Sequence, residues 1–337
     1  MDTTNILNTL IERKNLTAEE ARLFLNEVAK GLITPAQIGA ALVALRMKGE
    51  SPDEIVGFIN AIRENMVRVN AKNAIDVCGT GGDGGGTFNI STAVAFVVAG
   101  AGAKVVKHGN RAASSKCGSA DVLEKLGVHF HLSLEQAEEV FNNAGMVFLF
   151  APLFHPAMKN VVAVRNDLKI RTVFNFLGPF ANPASPEKQL IGVPNVEIAQ
   201  TLADVGKKLN YKHLLIVTSE DGLDELSTSS KSALFEITNN FVKQSSVDPA
   251  NYGFRAASKK EFLGGDAAQN AKIIKDILRG AMGAKRDIVV LNSAFALYVA
   301  DVVTDIKEGI ELAKKSIDSG KAQSVLEALV KETRKYI

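Results

Sequence analysis

The chain has 337 residues, 46% of them hydrophobic, with 39 lysines and arginines set against 37 aspartates and glutamates. That length supports a large buried core and points to two domains, while the near balance of charge excludes a global basic field for nucleic acid or an anionic membrane surface. Two cysteines, Cys78 and Cys117, make neither a disulfide framework nor a zinc site, which suits a reducing cytoplasm. The N-terminus lacks the basic and apolar regions of a signal peptide, and the longest apolar run, residues 93–103, is too short to span a bilayer. The sequence therefore reads as a soluble cytoplasmic protein, with no nucleic-acid and no membrane partner.

Residues 1–70 read as entirely helical, a small domain that helices around 160–185 would complete. Three start signals recur: Thr17-Ala-Glu-Glu20, Thr34-Pro-Ala-Gln37 and Ser51-Pro-Asp-Glu54. Each pairs an N-cap hydroxyl with Glu or Gln three residues later, and two add proline at the first helical position. Ile55, Ile59, Ile62 and Met66 fall on one face of the last helix, and Ile6, Leu7, Leu10 and Ile11 form a similar stripe on the first. These stripes read as core or dimer interface.

Residues 71–337 read as an α/β domain. Candidate buried strands lie at 74–78, 103–107, 146–150, 214–218 and 287–291. Helix-like segments lie near 91–101, 119–126, 134–144, 196–209 and 266–283, with one or two more helices in 305–335. Strands alternating with helices predict a central, mostly parallel sheet, and residues 234–247 an antiparallel addition to it. Ligands of such sheets bind beyond the carboxyl ends of the strands.

Four clusters carry chemistry. The first follows the 74–78 strand, where six glycines fall between Gly79 and Gly86 around Asp83 and lead to Thr87, Asn89, Ile90, Ser91 and Thr92 at a helix start. Glycine lets bare N–H groups approach a ligand, and a helix N-terminus favours phosphate. The dinucleotide and Walker patterns both fail here: more glycine follows Gly84, and no lysine closes the loop. A plain flexible turn would need neither Asp83 nor the Asn89-Ser91-Thr92 group, so the loop points to a phosphorylated sugar. The second cluster, Lys107, His108, Gly109, Asn110, Arg111, Ala112, Ala113, Ser114 and Ser115, leads to a helix start at Ser119 and has the composition of a phosphate clamp. The third runs from His155 through Arg165 and Arg171 to Pro183. Arg165 is placed at a substrate carboxylate, which guanidinium binds bidentately, with Arg171 as the alternative. The fourth, Asp221-Gly-Leu-Asp-Glu-Leu-Ser227, offers Asp224 and Glu225 to Mg²⁺, a hard ion completed by waters and substrate phosphates.

These motifs, in this order over essentially the full length, resemble the anthranilate phosphoribosyltransferase family. The motifs that carry the likeness are Gly79-Thr-Gly-Gly-Asp83 with Thr87-Phe-Asn-Ile-Ser-Thr92, Lys107-His-Gly-Asn-Arg111 with Gly118-Ser-Ala-Asp121, the Arg165 helix, and residues 221–227. The resemblance implies transfer of the 5-phosphoribosyl group from 5-phosphoribosyl 1-diphosphate to anthranilate in tryptophan biosynthesis. It also implies a homodimer formed through the helical domain, an active site between the two domains, and a single-function form without an amidotransferase segment. Carried over by residue, Gly79, Gly82, Asp83, Thr87 and Asn89 to Thr92 hold the diphosphate and ribose, and residues 107–115 with Ser119 wrap the phosphates. Asn110 and Arg165 contact anthranilate. Ser91 joins Asp224 and Glu225 as a Mg²⁺ ligand, with a pair of ions expected per monomer. The glycine triplet 84–86 is richer than the motif requires.

Displacing pyrophosphate from ribose with an aromatic amine calls for oxocarbenium character, stabilisation of the departing group and positioning of the amine. A strong general base is not required, and none is assigned; His108 is a candidate by proximity alone. Two other readings compete. A pyrimidine-nucleoside phosphorylase of the same fold would use free phosphate and leave Asp224 and Glu225 without a use. A non-catalytic nucleic-acid-binding relative would need a basic groove. Both cysteines flank the anion loops, so thiol alkylation is expected to inhibit.

Overall fold

The computed structural model describes residues 2–81, 86–112 and 116–337. In chain order its first elements are α1 (Thr3–Ile11), α2 (Ala18–Ala29), α3 (Pro35–Lys48), α4 (Pro52–Asn65), β1 (Ala74–Gly79), α5 (Ile90–Gly100) and β2 (Lys104–Gly109). Next come α6 (Ser119–Leu126), α7 (Leu134–Ala144), β3 (Met146–Phe150), α8 (Ala151–Phe154), α9 (Lys159–Leu168), α10 (Phe174–Leu177), β4 (Lys188–Gly192) and α11 (Val196–Lys208). The chain ends with β5 (His213–Ser219), β6 (Ser232–Thr238), β7 (Phe241–Val247), α12 (Ala267–Leu278), α13 (Ala284–Val299), α14 (Ile306–Asp318) and α15 (Lys321–Thr333). Two compact units result, Met1–Arg68 with Pro152–Ser185, and Val69–Ala151 with Pro186–Ile337.

The helical unit starts its helices where the sequence signals lie. Thr17, Thr34 and Ser51 each form a complete capping box, with the side chain accepting from the third helical N–H and Glu or Gln reaching back. Such caps satisfy N–H groups that the helix itself leaves without acceptors. Glu54 does more than cap: fully buried, it accepts from the N–H groups of Ser51 and Leu16 and from the Lys48 ammonium at 2.9 Å. The hydrogen bonds that fasten the 152–185 segment include Val67 N–H to the Phe154 carbonyl, Asn160 to the Val28 carbonyl and Arg63 to the Phe180 carbonyl. The stripe of Ile55, Ile59, Ile62 and Met66 is buried, as are Ile6 and Leu10, but Ile11 at the end of α1 is 71% exposed.

The second unit is built on a seven-stranded sheet in the order β3-β2-β1-β4-β5-β6-β7. The first five are parallel, and β6 and β7 add an antiparallel hairpin at one edge. Its two-residue turn, Asn239-Asn240, has φ of 49° and 65°, the left-handed pair that suits the twist of a tight hairpin. Helix α5 is apolar nearly all round and buried along most of its length, as the helix running from the glycine loop must be.

Two sequence expectations are corrected. Residues 287–291 are not a strand but lie within α13, sixteen residues long and buried on almost every side. A short β-branched run inside a longer apolar one has no helical periodicity to betray it, because every face is covered. Conversely, β4 is absent from the strands expected on sequence. It is short and opens on Lys188-Gln189, yet it lies in mid-sheet, where Gln189 is fully buried, accepting from the Tyr211 hydroxyl and donating to Asp76.

The order of strands reverses at β1, which has β2 on one side and β4 on the other. Loops leaving β1 and β4 therefore diverge and open a crevice at the carboxyl edge, the usual ligand position of an open parallel sheet.

Candidate active site

Gly79 pairs with Gly192 at the carboxyl ends of β1 and β4. Both are glycine for a physical reason. A Cβ on Gly79 would lie 2.4 Å from the Asp224 carboxylate, and one on Gly192 would lie 1.6 Å from the Asp224 carbonyl oxygen. The loop after β5 thus folds back onto the ends of β1 and β4, and the Gly81 N–H donates to Asp224 Oδ2 at 2.7 Å. Asp224 is buried and Glu225 beside it half-buried. So the first and fourth sequence clusters, some 140 residues apart, meet at the reversal of strand order.

The 219–227 loop is held from within. Ser219 donates to the Glu225 carbonyl and accepts from the Ser227 N–H, and the Ser227 hydroxyl donates to Asp221 at 2.8 Å. Asn292 of α13 binds Leu226 on both sides, accepting from its N–H and donating to its carbonyl.

Lys107 lies near the end of β2, only 2% exposed. Its ammonium donates to the Val77 carbonyl at 2.7 Å and to the Ser91 hydroxyl at 3.1 Å. Among the described residues no carboxylate pairs with it. Ser91 is in the first turn of α5, whose N-cap, Asn89, makes no side-chain cap. Instead the Asn89 amide donates to the Cys117 carbonyl and accepts from Asn270 of α12, tying the first loop to the second. A buried cation beside an uncapped helix start concentrates positive charge at Ser91, and a buried charge without a counter-ion is costly unless a ligand supplies one.

The second loop turns on Asp121. Its carboxylate accepts from the N–H groups of Ala112 and Gly118, both at 2.9 Å, and from Arg111. Burial works against the charged form, but these donors outweigh it and hold the Asp121 pKa below the ordinary value. Asn110 accepts at its carbonyl from Ser119 and from the Ala120 N–H. Arg111, expected in the phosphate clamp, is paired with Asp121 and Glu124 and lies near the Phe130 ring, so α6 already matches its charge. His108 and Gly109 complete β2. Gly82, Asp83, Ala113, Ser114 and Ser115 lie outside the described residues.

A further segment joins the site unforeseen. Residues 86–88 pair with 262–264 through Phe88 N–H to the Phe262 carbonyl and Gly264 N–H to the Gly86 carbonyl. Thr87 forms a bridge with Leu263, and Asn270 accepts from the Gly265 N–H. The available signal is the Gly264-Gly265 pair just ahead of a capped helix, a common mark of close backbone approach.

Arg165 sits on α9 of the helical unit, half-buried, with its guanidinium 5.6 Å from the Phe174 ring. Burial pulls its pKa down, and among the described residues it has no carboxylate partner. Arg171 is exposed. His155, on the same unit, is held by burial at a pKa of about 4, so its ring is neutral at ordinary pH. Burial pushes both cysteine thiols up, which argues against the expected sensitivity to alkylation. Among the described residues no cluster of three or more His, Cys, Asp or Glu could cage a metal, and no helix is long and apolar enough to cross a membrane.

Comparison with known proteins follows the same division. Residues 71–323 match the a/b domain model of a glycosyl transferase family, and residues 4–66 match the helical bundle domain model of that family. An anthranilate phosphoribosyltransferase from Pelotomaculum thermopropionicum is 47% identical over 98% of this chain and 96% of its own length. One from Thermoanaerobacter is 46% identical over 98% of each chain. Among solved structures, the anthranilate phosphoribosyltransferase of Thermus thermophilus superposes with a TM-score of 0.91 at 37% identity, covering 98% of this chain and 99% of that one. The Saccharomyces cerevisiae enzyme in complex with PRPP and Mg gives 0.90 at 27% identity, covering 99% and 98%.

Proposed function

The chain belongs to the anthranilate phosphoribosyltransferase family, and we propose how its residues share the transfer of a 5-phosphoribosyl group from 5-phosphoribosyl 1-diphosphate to the amine of anthranilate. One observation carries the donor site: Lys107, buried without a carboxylate partner among the described residues, hydrogen-bonded to Ser91 at the uncapped start of α5. That corner is a place for the diphosphate, with Gly79, Thr87 and residues 89–92 lining it and Lys107 to Asn110, Ala112 and Ser119 closing around the phosphates, Arg111 being held on α6. Gly82, Asp83 and residues 113–115 are assigned to the same role on the sequence resemblance.

Asp224, Glu225 and the Ser91 hydroxyl are hard oxygen donors and fit Mg²⁺. With no cluster of three or more His, Cys, Asp or Glu among the described residues, the shell would be completed by diphosphate oxygens and water. When bound, Mg²⁺ supplies charge neutralisation to the leaving pyrophosphate, and a pair of ions per monomer is proposed. Lys107 adds fixed positive charge at the same group, and the backbone N–H groups of the loops need no reorganisation during reaction. Arg165 takes the anthranilate carboxylate, for which a half-buried guanidinium on an aromatic ring is well suited, and Asn110 orients the same substrate. The amine attacks as a neutral nucleophile and sheds its proton afterwards, so no side chain is assigned as general base.

A homodimer through the helical unit is proposed on the exposed apolar side chains of that unit, Ile11, Leu32 and Met47. Cytoplasmic residence is proposed on the two free cysteines. The deciding experiment follows anthranilate fluorescence on addition of 5-phosphoribosyl 1-diphosphate and Mg²⁺. Loss of signal with release of pyrophosphate is expected. No loss, with phosphorolysis of thymidine instead, would move the protein to the nucleoside phosphorylases.

A further inference from the structure

We infer that Asn292 is a positioning residue for the Asp224–Glu225 carboxylate pair, acting through the backbone of Leu226. The inference rests on the reading of that pair as the metal-holding carboxylates. Asn292 lies on α13, fully buried, 66 residues along the chain from Leu226. Its amide pairs with Leu226 as a neighbouring strand would: Oδ1 accepts from the Leu226 N–H at 2.9 Å, and Nδ2 donates to the Leu226 carbonyl at 2.8 Å. The second Nδ2 hydrogen donates to the Ile288 carbonyl one turn back, also at 2.8 Å, which fixes the amide's orientation on its own helix.

The flanking peptide groups are bound as well. The Glu225 carbonyl accepts from Ser219, and the Ser227 N–H donates to Ser219, whose hydroxyl also bonds Ser232. From the Glu225 carbonyl to the Ser227 N–H, the backbone following the two carboxylates is held by neutral, buried partners. Upstream, Gly79 and Gly192 leave just enough room for Asp224. The carboxylates are thus presented from a stretch of chain that cannot drift. A neutral amide suits this task, since a charged anchor there would compete with the carboxylates for the cation. Outer partners that orient metal ligands typically account for roughly 10–100-fold in affinity.

The test uses the full chain with Mn²⁺ as a paramagnetic probe, titrated by electron spin resonance in the presence of 5-phosphoribosyl 1-diphosphate. Asn292→Ala is compared with Val290→Ala, a core truncation on the same helix. Asn292→Ala is expected to weaken Mn²⁺ binding by roughly tenfold and to raise the KM for the donor, with the KM for anthranilate within about twofold of the parent. Val290→Ala should leave Mn²⁺ binding unchanged. Asn292→Asp, of the same shape but without both Nδ2 donations, is measured in parallel should the alanine variant fail to fold. Unchanged Mn²⁺ binding in the Asn292 variants that fold overturns the inference. The double variant Asp224→Ala with Glu225→Ala separates the two levels. If it too binds Mn²⁺ like the parent, the metal reading itself fails; if it weakens binding while the Asn292 variants do not, only the positioning role is lost.

Discussion

Two loops at the carboxyl edge of the sheet are stitched in opposite ways. The loop after β2 is held by charge: Asp121 gathers two backbone N–H groups and Arg111, and Arg111 spans to Glu124 with its side chain 42% exposed. The loop after β5 is held mainly by buried neutral groups, Ser219, Ser227 and Asn292, with the Asp221 carboxylate accepting from Ser227. Charge-stitched loops near solvent are screened by salt and can loosen, whereas a buried neutral network in low dielectric is stiff and intolerant of deletion. The contrast fits the proposed roles, since a phosphate clamp must admit and release its ligand while a metal site must keep its carboxylates fixed.

The sharpest way to break the comparison is at the rigid loop. Asp224→Ala with Glu225→Ala is expected to lower turnover by about 10²–10³-fold and to displace the Mg²⁺ dependence, as measured by initial rates across a Mg²⁺ series. A normal Mg²⁺ profile would take the pair out of the metal site. At the adaptable loop, Asp121→Ala should cost about 1–3 kcal/mol of stability by leaving the Ala112 and Gly118 N–H groups without their acceptor. It should also raise the KM for the donor; denaturant titration and steady-state kinetics read the two effects. The smallest effect belongs to Arg111→Ala, whose exposed ion pairs contribute about 1 kcal/mol or less and should vanish at high salt. A large loss of donor affinity in that variant would restore Arg111 to the phosphates.

The helical unit offers a separate test through pH. His155 has a folded pKa of about 4, below the ordinary value near 6.5, so the unfolded chain binds the proton more readily between those limits. Stability from this group is therefore complete above about pH 6.5 and falls as pH drops toward 4, by up to about 3 kcal/mol. His155→Gln should flatten that part of the stability profile in urea titrations at a series of pH values; an unchanged slope would place the titration elsewhere.

Much of this was legible in residue order. Thr17, Thr34 and Ser51 announce their helices because a cap is a local hydrogen bond between near neighbours. The glycine loop and the Asp224-Glu225 pair stand out because their chemistry demands particular residue types. What escaped was set by burial. Residues 287–291, expected as a strand, are helical, and 188–192, for which no element was expected, form a strand, since an apolar run has no period when every face is covered and a polar start hides a central strand. Nothing in the sequence singled out Asn292 or Asn270, and nothing in it pairs Arg111 with Asp121 and Glu124 of α6.

The sequence by itself determined the helix starts, the alternation of strands and helices, and the residue types able to hold phosphate, carboxylate and a divalent ion, because each of these depends on a few adjacent positions. Only the tertiary structure decided that Gly79 and Gly192 exist to admit Asp224, that Lys107 is buried against Ser91, and that Asn292 grips Leu226. Those are contacts between groups tens to well over a hundred positions apart, and no local pattern encodes which distant partner a buried polar group will meet.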